Sequence, residues 1–138
     1  MPWKVDFYED EGGYVPVEDY LDGLTVQQRA KVLALIKELE KHGPTLPFPY
    51  SSQVEGKLRE LRTKFGKTRL RVLYYGDANQ VFQLLHGLIK DTDALEQSDI
   101  DKGNERMTAH SKKVQREREK TEKEQGKVEK KDKKKRKK

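Results

Sequence analysis

The sequence predicts an α+β domain: a small antiparallel sheet with a helical hairpin on one face. Three observations carry this. A short alternating strand opens the chain. A long amphipathic helix follows, with both of its ends marked. Three strand-like segments then run in succession, joined by links too short for anything but hairpins.

Trp3–Tyr8 ("WKVDFY") alternates, with Trp3, Val5 and Phe7 on one side and Lys4, Asp6 and Tyr8 on the other. That is the pattern of a strand with one buried face. "EDEGG" makes a turn, and "VPVEDYLDGL" gives a short helix opening at Pro16, because proline suits a first helical turn. Thr25 with Gln28 three residues on forms a capping box for the next helix. Val26, Ala30, Leu33, Ile36 or Leu35, and Leu39 make an apolar stripe at helical spacing. Lys37, Lys41 and His42 suit the C-terminal end of the dipole, and Gly43–Pro44 stops the helix. The connection "PTLPFPYSS" is too rich in proline for a helix or a central strand.

The three strands fall at Lys57–Thr63, Thr68–Tyr75 and Gln80–Leu88, linked by "KFGK" and "GDAN". Short glycine-bearing links imply antiparallel hairpins. A last helix starts near Ser98 or Asp99, giving the order β-α-α-β-β-β-α. The domain spans residues 1–107. Residues 108–138 form a Lys-rich tail with almost no apolar residues, a solvated helix as far as Gln125 and disordered beyond Gly126.

Charge is distributed in blocks. The chain has 138 residues and a formal net charge of +6. Lys57–Arg71 holds seven Lys or Arg and one acid, residues 101–138 are net +9, and the rest is acidic. The body therefore carries one basic patch rather than a general excess. There is no Cys, which excludes a disulfide framework and thiolate chemistry. No apolar run approaches the roughly 18 residues of a membrane span, and no signal peptide is evident, so a cytoplasmic protein without membrane contact is expected. No His/Asp/Glu spacing suggests a metal, and no Gly-rich phosphate loop occurs.

"LRELR" (Leu58–Arg62), "RLRVLYY" (Arg69–Tyr75), "LLHGLIK" (Leu84–Lys90) and "SDIDKGNERM" (Ser98–Met107) together resemble the RelE/ParE superfamily of small bacterial toxins, most closely its HigB-like, phage-derived branch. That branch shows a Glu-Leu-Arg strand, an Arg-Val-Leu-Tyr strand, a Leu-His-Gly strand and a Lys-Lys-Thr segment before a final helix. The resemblance covers roughly residues 1–107. It implies a RelE-like fold and the toxin of a type II toxin–antitoxin pair, a metal-independent, cofactor-free endoribonuclease that cuts mRNA on the ribosome. It also implies a cognate antitoxin, commonly a helix-turn-helix protein, with operator DNA bound only through that complex. Two other functions stay open: a ParE-like gyrase poison that cuts nothing, and an inactive member that only binds its antitoxin. One departure stands out. "KDTDAL" keeps Lys90 and Thr92 but places Asp91 and Asp93 where cations are usual.

Cleavage by the RNA's own 2′-hydroxyl needs a proton acceptor, charge stabilisation at the phosphate and a proton donor for the leaving oxygen. Strand parity places Glu60 and Arg62 on one face of their strand, and Arg69, Arg71 and Tyr75 opposite Leu70, Val72 and Tyr74. If the helices cover the Leu70 face, the arginines look onto an open sheet surface. Arg71 stands at the Arg of the family's Arg-x-x-Tyr strand, and an arginine fork suits phosphate. Arg62 and Arg69 are further phosphate candidates. Glu60 is a general base or an ion-pair partner, and His86 a general acid or a structural histidine. Lys57, Lys64 and Lys67 supply attraction for RNA, Lys90 a phosphate contact, and Tyr75 a stacking ring or a packed one. The tail is either a solvated charge run or an arm for ribosomal RNA.

Overall fold

The computed structural model describes residues 3–92 and 94–136, with side chains through residue 124. Its elements are β1 (Lys4–Phe7), α1 (Pro16–Asp22), α2 (Val26–His42), a single 3-10 turn (Gly43–Thr45), β2 (Ser51–Glu55), β3 (Leu58–Phe65), β4 (Thr68–Gly76), β5 (Val81–Lys90) and α3 (Gln97–Arg136). The strands form one five-stranded sheet in the order β1-β5-β4-β3-β2. The α+β class holds. The sheet is mixed rather than purely antiparallel, because β1 returns alongside β5 in parallel.

α2 begins as its capping box dictates. Thr25 Oγ1 accepts from the Gln28 N–H at 3.2 Å, and Gln28 Oε1 accepts from the Thr25 N–H at 3.0 Å. Its buried face is Val32, Leu35, Ile36 and Leu39, while Val26 is 76% exposed. The stripe through Val26, Ala30 and Leu33 is thus rotated from the one the fold uses. Both sets have helical spacing, and contact with the sheet selects between them.

β2 overlaps the expected connection at Ser51 and Ser52 and runs on through Gln53–Glu55, to which the sequence assigned no element. "SSQVE" has little strand propensity of its own and is held by pairing with β3, Ser51 opposite Leu61 and Ser52 opposite Glu60.

The sheet is covered on both faces. Under α1 and α2, Val17, Leu21, Val32, Ile36 and Leu39 pack on Leu61, Leu70, Val72, Tyr74 and Leu84. On the other face, Leu58, Leu73, Tyr75, Leu85 and Leu88 meet Ile100 and Met107 of α3. Gly103 permits this approach, since a Cβ there would stand 3.0 Å from Leu73 Cδ1. The face expected to be open is therefore half roofed. α3 then continues without a break through Gly126 to Arg136. Among the residues of α3 whose side chains are described, Val114 is the last buried one, and residues 115–124 are exposed.

Candidate functional site: a cationic cleft at one end of the sheet

Register explains where the charge gathers. On the α3 side of the sheet, Arg62 stands directly opposite Arg71, Lys64 opposite Arg69, and Arg69 opposite Lys90. Leu58 and Leu73, on the same face, lie under α3. Arg62, Lys64, Arg69 and Arg71 lie beyond the apolar contacts of α3, whereas Lys90 is held by Glu96 and by Asp99 in the first turn of α3. Like charges directly opposite one another destabilise a sheet, and countercharges offset that here: Glu60 lies beside Arg62 and Arg71, and Glu96 and Asp99 beside Lys90.

Arg71 is 2% exposed as a residue, not the surface arginine that an open face implied. Its Nη1 donates to the carbonyls of Thr63 (3.3 Å) and Leu70 (3.1 Å). Glu60, also buried, reaches both arginines: Oε1 lies 3.6 Å from Arg62 Nε and Oε2 3.9 Å from Arg71 Nε. The Arg62 guanidinium sits over the Phe48 ring at 5.2 Å. Arg69 Nη1 donates to the Asp91 carbonyl. Arg62, Lys64 and Arg71, with Pro49, Tyr50 and Thr63, line a cleft of about 370 Å³. Lys67 is exposed in the β3–β4 turn at the same end.

Other sequence candidates lie elsewhere. Lys57 precedes β3, seven residues from Lys64, about 23 Å along an extended strand. It borders a separate depression with Tyr75, Asp77 and Met107. Tyr75 is buried beneath α3, its hydroxyl 2.5 Å from His110 Nδ1. It is a packed ring and offers no face to a base. Burial pushes its phenol well above the usual tyrosine value.

His86 is clasped by α3. Its Nε2–H donates to Asp99 Oδ1 at 2.8 Å, and its Nδ1 accepts from Arg106 Nη1 at 3.3 Å. Because arginine can only donate, this pair of contacts fixes the neutral imidazole. Burial lowers its pKa, outweighing the hydrogen bond to Asp99. Lys90 Nζ lies 3.4 Å from Asp99 Oδ2 and 3.5 Å from Glu96 Oε1. Burial raises the Asp99 carboxyl, but the hydrogen bonds from His86 and Lys90 more than offset this and leave it below its ordinary value. Asp91 is exposed; Asp93 lies outside the described residues.

Phe48 and Tyr50 were not singled out by sequence. Both sit in the proline-rich connection, where aromatic residues beside prolines were the available signal. Among the described residues no helix is long and apolar enough to cross a membrane, and no cluster of His, Cys, Asp or Glu could hold a metal ion.

The family model described as phage derived protein Gp49-like (DUF891) matches residues 19–108. No curated protein matches the chain.

Proposed function

The chain belongs to the phage-derived Gp49-like family, and from that premise and the cleft's chemistry we propose that it is the toxin of a toxin–antitoxin pair that cleaves ribosome-bound mRNA. The observation that supports this best is the set of like-charge cross-strand pairs, Arg62 with Arg71 and Lys64 with Arg69, beside a cleft lined by three of those cations. A phosphodiester is a ligand that such an arrangement suits. Arginine forks match phosphate oxygens, and fixed cations favour the extra negative charge of a pentavalent phosphorus.

In this reading Arg62 and Arg71 hold the scissile phosphate. Lys64, Lys67 and Arg69 draw in the backbone. Glu60, buried behind the arginines, fixes their orientation. The 2′-oxygen attacks phosphorus and passes its proton to water. The bond to the 5′-oxygen breaks, and that oxygen takes a proton. The products are a 2′,3′-cyclic phosphate and a 5′-hydroxyl. The exposed stretch of α3 extends the reading to ribosomal RNA. Lys112, Arg116, Lys120 and Lys123 recur at spacings of four, four and three, on the side away from Met107 and Val114.

The test is a purified translation reaction mapped by primer extension, comparing the wild type, Arg71→Ala and Arg62→Gln, with a ribosome-free arm. Cuts that need the ribosome and both arginines, and that leave cyclic phosphate ends, are expected. Absence of cuts from wild-type protein shown to be folded would sink the nuclease reading.

A further inference from the structure

Tyr50 borders two depressions at once. One is the cationic cleft. The other, of about 440 Å³, lies between Tyr50 and α2 and is lined by Ala34, Leu35, Leu46, Pro47 and Thr63, with Lys31, Glu38 and His42 among its polar residues. Thr63 also borders both. The second depression differs from the first in character: a largely apolar lining with a few polar groups is what small planar ligands use.

The backbone that carries this ring is fixed at two points. The Tyr50 N–H donates to the Pro47 carbonyl at 3.0 Å, and the Tyr50 carbonyl accepts from the Arg62 N–H at 2.9 Å. Leu46, just upstream, is buried in the core. The backbone is thus tied to the arginine strand, yet Tyr50 is 52% exposed. A half-exposed aromatic ring anchored beside a phosphate-sized cationic cleft has the makings of a stacking surface.

We propose that the depression between Tyr50 and α2 is a nucleobase site, taking the unstacked base next to the phosphate held by Arg62 and Arg71. This rests on the reading of the cleft as a phosphate site. The base lies against the Tyr50 ring, over Ala34, Leu35 and Pro47. The Glu38–His42 pair, 3.0 Å apart, presents polar atoms for its edge. The cleft then reads the backbone, which every RNA shares, and the α2 side reads the base. Such a site requires single-stranded RNA, because a paired base cannot swing into it.

The experiment uses the full chain without ribosomes, at one fixed salt concentration, because phosphate contacts are salt-sensitive. Fluorescence anisotropy reads the affinity for two end-labelled ligands of equal length, a short oligoribonucleotide and its abasic counterpart. Stacking on one ring is worth roughly 5- to 150-fold, so the wild type should prefer the oligoribonucleotide by about tenfold or more. Tyr50→Ala removes the ring, and Ala34→Leu fills the floor from an exposed helix position. Each should bring the oligoribonucleotide down toward the abasic ligand. Ala34→Leu, outside the phosphate cleft, should leave the abasic affinity unmoved, and Tyr50→Ala, whose residue borders both depressions, should weaken the abasic ligand less than the oligoribonucleotide. Arg62→Gln should weaken both ligands alike.

Equal wild-type affinity for the two ligands would overturn the base site and leave the phosphate cleft standing. So would a Tyr50→Ala effect of equal size on both ligands, or no effect of either variant on the oligoribonucleotide. Failure of the wild type to bind either ligand, or indifference of both to Arg62→Gln, would overturn the phosphate reading and the base site with it.

Discussion

Replacing Gly87 with alanine tests the scaffold beneath the cleft. Gly87 is a β5 residue facing α1, and a Cβ built there would stand 2.2 Å from Cγ and Cδ2 of Tyr20 and 2.7 Å from Cδ1. Carbon atoms sit comfortably at about 3.5–4.0 Å, so the ring must retreat by more than an ångström. It is not free to do so. Tyr20 Oη donates to the Leu88 carbonyl at 3.1 Å, and burial has pushed the phenol up to about 12. Overpacking of this kind costs roughly 1–3 kcal/mol, and loss of the hydrogen bond adds about 0.5–1.5 kcal/mol. Gly87→Ala should therefore destabilise the domain by about 2–4 kcal/mol, on the order of 10–20 °C in Tm for a body of this size. Leu88 is the register partner of Arg71, so the same change should loosen the cleft. Urea unfolding of Gly87→Ala, Tyr20→Ala and the double variant closes a cycle. With the ring gone, adding the methyl should cost under about 1 kcal/mol. If Gly87→Ala costs the same with and without the ring, or costs nothing, close approach of the Tyr20 ring is not what requires glycine at this position.

Acid should loosen the α3 side of the protein. His86 and His110 are both held below the ordinary histidine range, with burial the largest cause in each. An unfolded histidine takes up its proton near pH 6.5, so below that pH the unfolded state binds more protons. These two groups leave stability whole above about pH 6.5, and it falls as pH drops through their folded values. Urea midpoints between pH 7.5 and 5 measure this, and a midpoint that climbs on acidification would contradict it. Lys64 and Lys57 cap opposite ends of the same strand region, so Lys64→Ala should weaken RNA binding several-fold and Lys57→Ala should not; equal losses would mean diffuse attraction. Changing Lys112, Arg116, Lys120 and Lys123 together to glutamine should flatten the salt dependence of RNA or ribosome binding by about 3 in log–log slope. An unchanged slope would make the exposed stretch of α3 a solvated face.

What could be read from the sequence follows from how local its causes are. The start of α2 was readable because Thr25 and Gln28 satisfy each other's backbone within one turn. Strand parity was readable because alternation is a property of one strand. It correctly set Leu70, Val72 and Tyr74 against Leu73 and Tyr75. Failures came where a distant partner decides. The expected α2 stripe held at Leu35, Ile36 and Leu39 and failed at Val26, Ala30 and Leu33, where the fold buries Val32 instead. β2 exists because β3 pairs with it. Parity placed Arg62 and Arg71 on one face, but only the docking of α3 shows that half of this face is roofed. Gly126 was an expected stop, but one glycine costs a helix only about 1 kcal/mol, and α3 passes through it. Tyr50 was missed because its importance lies in what surrounds it, the arginine cleft on one side and α2 on the other.

The division of this sheet face links its stability to its use. Where α3 lies, the face is apolar and Gly103 brings the helix close. Beyond the helix the same strands turn cationic in register, so that each cross-strand neighbour repels the next. Arginine stems can still cover apolar surface while their heads gather at the cleft, and Glu60 sets one buried anion between the two central guanidinium groups. A domain selected for stability alone would alternate signs across β3 and β4, since opposite charges in those positions contribute favourably. It would also extend the roof. In the proposed reading, an anion from outside joins Glu60 among these cations, and its binding offsets the repulsion between them. In the proposed reading, the charge on these strands is the protein's half of a complex with an RNA phosphate.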